Sequence, residues 1–268
     1  MRKNNLMPVQ RVEVVDGKQS QRLKVDPNGP TPKVVHFIWL QGEDHMKSTA
    51  PSYWRNVEFT RAIMGLDWEV RLWDETSLKP LMATIDKALW PRYCSLDRLE
   101  MKADLARFCV LKTYGGIYLD ADFIVARNFA SLRCLADEPY LAMRRCRFGG
   151  VVHSLLNGTL STHPESLQTY ILVSPPGHKV WDFLVDHILT FRRQHLFEPD
   201  ALYYARFTCL NALGHAVNRY LREEPHGTPI IYITHLTDYY GKHVGKGEWA
   251  GLLTSYGASR HELMQELN

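Results

Sequence analysis

From Lys33 onward, short β-branched apolar runs alternate with longer helical stretches, and this alternation leaves few architectures open. The run Val34-Val35-His36-Phe37-Ile38-Trp39-Leu40 is too short for a helix and apolar at nearly every position, which predicts a strand buried on both faces. Ser48 or Thr49 can cap a helix that has Pro51 in its first turn and runs to Gly65. Trp68 to Trp73 alternates as a second strand, and a helix follows from about Thr76 to Leu89. The next helix starts at Leu96 or Asp97, Gly115-Gly116 ends it, and Ile117-Tyr118-Leu119-Asp120 is the strand after it. The order strand, helix, strand, helix, helix, strand predicts an α/β fold with a mostly parallel open sheet and helices on both faces. Further strands are expected at 140–143, 169–173 and 230–233, with helices at 179–192 and 201–221.

Residues 1–32 are polar and end in Asp26-Pro27-Asn28-Gly29-Pro30-Thr31-Pro32, whose prolines and glycine break helix and sheet alike. This divides the chain into a leader or small hairpin over 1–32, the hairpin turning at Asp16-Gly17, and a single domain over 33–268. A chain of 268 residues buries roughly three quarters of its unfolded surface and needs neither disulfide nor structural metal for stability. The five cysteines are odd in number, widely spaced and lack any C-x-x-C, as expected of reduced thiols in the cytoplasm. A net charge of +3, with only Arg144, Arg145 and Arg147 clustered, argues against a nucleic-acid partner. No run approaches the roughly 18 to 20 apolar residues of a membrane helix, and Leu6 to Gln10 is too short for the apolar part of a signal peptide.

The chemistry concentrates between Asp104 and Asp122. Asp120 and Asp122 stand two apart at the C-terminal end of an apolar strand, the edge where open α/β sheets bind ligands. Side chains two apart on a strand share a face, so both can reach one cation. Hard oxygen ligands favour Mg²⁺ or Mn²⁺, which complete their shells with water and substrate phosphates. Upstream, Asp104 and Arg107 are three apart on one helix face. They form either a surface ion pair worth less than about 1 kcal/mol or a carboxylate and a guanidinium presented to a sugar.

The run Asp104 to Asp122 resembles the signature of the DXD-containing sugar-binding glycosyltransferases, a family that includes initiating α-1,6-mannosyltransferases and, more distantly, the clostridial glucosylating toxins. Lys33 to Trp39 resembles the family's opening strand and Trp68 to Asp74 its second. The resemblance spans about 33–250. It implies a GT-A-type, Rossmann-like open mixed sheet flanked by helices, a nucleotide-sugar donor, Mn²⁺ (or Mg²⁺) at the D-x-D, and hexose transfer with retention to a glycan or protein hydroxyl. By position it implies that Trp39 stacks on the nucleobase, that Asp104 and Arg107 bind the donor sugar, that Tyr118 lines the nucleotide site, and that Asp120 and Asp122 serve ribose and metal. The family's late loop over the diphosphate matches His243 to Trp249, with Glu248 where serine is usual, so the third metal ligand lies between His243 and Glu248. Trp249 closes that loop, and Lys246, with Lys242 and His243, is a candidate for stabilising the leaving diphosphate. Where the family carries an asparagine shortly before Ile171, this chain has Tyr170; Asn157 is the nearest upstream asparagine.

Two other readings fit parts of the pattern. A metal-dependent phosphohydrolase also mounts acidic pairs after strands, but no Walker or Rossmann glycine fingerprint is present. A nucleotide-sugar-binding module without catalysis would have an incomplete metal shell. Among the other residues, His36 is expected to be a satisfied core histidine, Trp54, Trp68, Trp73 and Trp181 to be core, and Trp90, before Pro91, to end a helix.

Overall fold

A computed structural model describes residues 10–12, 31–130, 132, 141–146, 166–191, 210–228, 230–233 and 240–243. Its strands are β1 (Gln10–Val12), β2 (Val34–Ile38), β3 (Glu69–Trp73), β4 (Gly116–Leu119), β5 (Phe123–Val125), β6 (Leu141–Cys146), β7 (Ser166–Ser174), β8 (Ile230–Ile233) and β9 (Gly241–His243). The helices are α1 (Glu43–Thr49), α2 (Pro51–Met64), α3 (Glu75–Ile85), α4 (Leu89–Cys94), α5 (Leu99–Tyr114), α6 (Val180–Thr190) and α7 (Leu210–Glu223). Seven strands form one sheet in the order β1-β8-β6-β7-β4-β2-β3, in which β7 alone runs antiparallel to its neighbours. This is the open, mostly parallel mixed sheet expected from the alternation of elements. β1, inside the segment read as leader or hairpin, is an edge strand parallel to β8.

The centre of the sheet, β2, β4 and residues 169–174 of β7, is buried on both faces, as the unbroken apolar run of β2 requires. Val35, Phe37, Ile117, Leu119, Ile171 and Val173 share one face with Met46 of α1 and Val57 and Met64 of α2. Ile38, Tyr118 and Leu172 share the other with α3 to α7, through residues such as Leu78, Tyr93, Phe108, Trp181 and Leu213. The period-two alternation of each strand assigns these faces.

Local chemistry sets most boundaries. Pro51 occupies the first position of α2 and disfavours the helical region for Ala50, which at φ −140° and ψ 58° separates α2 from α1. The expected helix up to Gly65 is α2, but its N-cap is Ala50, since Ser48 and Thr49 lie in α1. Asp74 and Ser77 form a reciprocal capping box at the start of α3, with Ser77 N–H donating to Asp74 Oδ1 at 2.8 Å. The helix expected to run to Leu89 stops at Ile85, and α4 follows. Trp90 therefore lies in the first turn of α4 and does not end a helix, because Pro91 in that turn has no hydrogen bond to forfeit.

Gly115 (φ 63°) caps α5 and Gly116 (φ 88°) opens β4. A Cβ on Gly116 would lie 2.5 Å from Val34 Cγ1, and one on Gly115 would lie 2.5 Å from the Pro176 nitrogen. Beside them His36, fully buried, accepts at Nδ1 from the Trp73 indole N–H at 3.1 Å. Since the indole can only donate, the His36 proton sits on Nε2 and is donated to Gly115 O at 2.9 Å. It is the satisfied core histidine expected. Trp68, Trp73 and Trp181 are core as well, whereas Trp54 is half-buried with Lys47 and Arg61 over its ring.

Candidate functional site

β2, β3 and β4 run parallel, so Trp39, Asp74 and Asp120 follow their C-terminal ends at one edge of the sheet. The antiparallel β7 begins at that edge: Asp120 N–H donates to Tyr170 O at 2.9 Å. The Gly115-Gly116 turn makes α5 double back along β4. Arg107, eight residues before Gly115, stands about 12 Å up the helix, and Asp120, four residues after Gly116, about 13 Å up the strand. A tight helix-to-strand turn thus brings residues thirteen apart in sequence to one level.

They meet there. Arg107 donates to Asp104 Oδ1 at 2.7 Å and to Thr169 O at 2.8 Å, and the same guanidinium reaches Asp120 Oδ1 at 3.3 Å. It also lies over the Tyr118 ring, 4.7 Å from its centroid. Asp104 is 1% and Arg107 6% exposed, so the pair is not the surface ion pair that the helix spacing alone allows. Tyr118 O–H donates to Asp120 Oδ1 at 2.7 Å. Burial, with the neighbouring carboxylates, drives the Tyr118 hydroxyl well above its usual pKa, against the opposing pull of Arg107, and keeps it a donor.

After Asp120 the chain turns, Phe123 N–H donating to Asp120 O at 2.9 Å, and enters β5. β5 pairs antiparallel with β9 in a two-stranded sheet that the sequence pattern did not suggest, with Phe123 opposite His243 and Val125 opposite Gly241. This pairing carries His243 from more than a hundred residues downstream to the D-x-D, with Nε2 3.2 Å from Asp122 Oδ1. Tyr170 stacks on the His243 ring at 4.5 Å between centroids and 18° between planes, and on Phe123 at 6.1 Å. Asp120, Asp122 and His243 each offer a ligand atom, and the three atoms lie within 4.8 Å of one another. Two carboxylates and an imidazole, all partly open to solvent, fit a divalent cation with room for water or phosphate oxygens.

Trp39 packs on Tyr53 with 5.7 Å between ring centroids and donates its indole N–H to His45 Nδ1 at 3.2 Å. Lys242 lies on β9 opposite Ile124. Lys246, Glu248, Trp249 and Asn157 lie outside the described residues. One residue passed over in the sequence is Asn56 on α2, whose amide donates to Ala121 O at 2.9 Å and Phe123 O at 2.8 Å. No spacing motif links it to the D-x-D, so no sequence signal marked it.

The chain is similar in sequence to known glycosyltransferases. Residues 51–140, which include Asn56, Asp104, Arg107, Tyr118, Asp120 and Asp122, match the family described as "Glycosyltransferase sugar-binding region containing DXD motif". Over 198 residues the chain is 24% identical to an uncharacterised glycosyltransferase, L373, of Acanthamoeba polyphaga mimivirus, covering 72% of this chain and 67% of that one. Over 154 residues it is 28% identical to inositol phosphoceramide mannosyltransferase 3 of Schizosaccharomyces pombe, covering 58% of this chain and 40% of the yeast protein. Among solved structures, the PaToxG glycosyltransferase superposes with a TM-score of 0.47 at 13% identity, covering 74% of this chain and 71% of that one.

Proposed function

Taking the chain as a member of the DXD-containing glycosyltransferases, we propose that it moves a hexose from a nucleotide-diphosphate sugar, GDP-mannose or a UDP-hexose, to a glycan or protein hydroxyl with retention at the anomeric carbon. The observation that carries this reading is the convergence of Asp120, Asp122 and His243 at the C-terminal edge of the sheet, with the Asp104–Arg107 pair behind Asp120. Mn²⁺ is the favoured ion, since the donor set includes an imidazole beside two carboxylates, and when bound it would neutralise charge building on the leaving diphosphate.

The residues of the chain do the rest. Arg107 and Tyr118 hold Asp120 from behind, so its carboxylate is oriented before any ligand arrives. Tyr170 fixes the plane of His243. Trp39, braced by Tyr53 and His45, would stack on the nucleobase, and Lys246, Glu248 and Trp249 belong to the loop that would close over the diphosphate. In the reaction the bond from the anomeric carbon to the diphosphate oxygen breaks, one forms to the acceptor oxygen, and the acceptor's proton leaves with the diphosphate. A cytoplasmic site of action is part of the same proposal, supported by free Cys94 and Cys109; among the described residues no helix is long and apolar enough to cross a membrane.

A nucleotide-release screen of UDP- and GDP-sugars with Mn²⁺ or chelator, beside Asp122→Ala, tests the reading. Mn²⁺-dependent release of nucleoside diphosphate by the wild type alone is expected, with a loss of at least about a hundredfold in the variant. Release of inorganic phosphate instead would assign a phosphohydrolase, and metal-dependent binding without turnover in the presence of acceptor glycans would assign a binding module.

A further inference from the structure

The D-x-D turn is gripped from both layers of the fold. From the α5 side, Arg107 holds the Asp120 carboxylate. From the α2 side, Asn56 holds not a carboxylate but the backbone, donating its two amide hydrogens to the carbonyls of Ala121 and Phe123, the residues on either side of Asp122. Asn56 is 5% exposed, and among the described residues nothing donates to its Oδ1. Its amide is therefore oriented by these two acceptors alone. A carboxamide with the opposite orientation would face two carbonyl oxygens with a third, so the NH₂ assignment follows from the partners.

The Ala121 carbonyl belongs to the peptide that precedes Asp122 and the Phe123 carbonyl to the peptide between Phe123 and Ile124, while the peptide between them is tied by Phe123 N–H to Asp120 O at 2.9 Å. With the backbone tied to α2 just before and one residue after Asp122, the turn is anchored on both sides of the residue whose Oδ1 lies 3.2 Å from His243 Nε2. We propose that Asn56 is a positioning residue for the D-x-D, setting the affinity of the site for its divalent cation by fixing the backbone that carries Asp122. This rests on the reading of Asp120, Asp122 and His243 as the metal site. Asn56 is not among the three candidate ligands, and both its amide hydrogens go to the turn, through which it acts.

The test compares wild type with Asn56→Ala, which removes both donors, Asn56→Ser, which keeps a single short donor, and Val57→Ala. Val57 is fully buried on the same helix and makes no hydrogen bond to the turn, so its truncation weakens packing alone. Each is titrated with Mn²⁺ alone by electron paramagnetic resonance, well below its own melting temperature. Amide hydrogen exchange over 120–125 is followed in metal-free protein. Asn56→Ala is expected to raise the Mn²⁺ Kd by about 10- to 100-fold and to speed exchange in the turn, Asn56→Ser to do so less, and Val57→Ala to lower the melting temperature without moving the Kd.

Equal Mn²⁺ affinity in wild type and both Asn56 variants would overturn the proposal, as would a Kd that tracks lost stability in Val57→Ala too. If Asn56→Ala does not fold, Asn56→Ser against Val57→Ala decides. If the wild type takes no Mn²⁺, the metal reading of the site fails separately, and exchange in the turn still judges Asn56: unchanged rates overturn its role and faster rates uphold its hold on the backbone.

Discussion

Arg107 gathers three acceptors, Asp104, Asp120 and Thr169 O, around one guanidinium inside the protein. Truncating one partner of such a pair strands the other as a buried charge, so Arg107→Ala should cost about 3–5 kcal/mol in denaturant unfolding. Replacing both charges, as in Asp104→Leu with Arg107→Met, should recover much of that stability yet leave nucleotide release abolished, because Asp120 loses its brace. Recovery of both would deny the pair any part in the chemistry. His36 makes a second residue-scale prediction. Burial lowers its pKa from 6.5 to about 4, against the raising effect of its bond to Gly115 O. The folded state thus binds fewer protons than the unfolded state between those values, and stability rises with pH across that window. The contribution is complete above about pH 6.5 and lost as pH falls toward 4, amounting to about 3 kcal/mol. His178, lowered to about 4 chiefly by burial, adds to the same slope. Unfolding free energies of wild type and His36→Asn between pH 4 and 7 should show a shallower slope in the variant.

At the scale of elements, β9 matters more than its length suggests. Its pairing with β5 delivers His243, and the approach is close: a Cβ on Gly241 would lie 2.1 Å from Ile124 O. Gly241→Ala should therefore push β9 off β5 and carry His243 away from Asp122, while the seven-stranded sheet, which does not include either strand, keeps its packing. Weakened Mn²⁺ binding with little change in melting temperature is expected; unaltered binding would show that His243 is not a ligand. The turn between α5 and β4 behaves differently. Ala at Gly116 must clash with Val34 on the neighbouring strand, so its cost falls on the whole sheet.

For the molecule as a whole, metal and stability are linked. A cation that binds the folded chain and not the unfolded one stabilises it by about 2.7 kcal/mol at a hundred times its Kd. For a chain of this length that is a rise in melting temperature of roughly 5–10 °C. Differential scanning fluorimetry with Mn²⁺ should show this rise, chelator should reverse it, and Asp122→Ala should remove it. A rise that survives in the variant would place the ion elsewhere. The chain spans 67% of the viral relative and 40% of the yeast one.

Periodicity and turn chemistry determined the sheet, because apolar runs such as Val34–Leu40 can be satisfied only by burial on both faces, and Gly115-Gly116 can only end a helix and start a strand there. The Asp120-Ala121-Asp122 tripeptide, placed after that strand, marked the ligand edge for the same reason. What stands beside the tripeptide was decided by tertiary structure. His243 reaches Asp122 through the β5–β9 ladder, which is made of two three-residue strands too short to carry a pattern; Glu248, the other candidate ligand, lies outside the described residues. Asp104 and Arg107 read equally well as a surface pair, since helical spacing assigns a shared face but not what covers it; burial against Tyr118 and Thr169 settled that. Asn56 was silent, because an amide that binds backbone carbonyls sixty-five and sixty-seven residues away leaves no trace in local sequence.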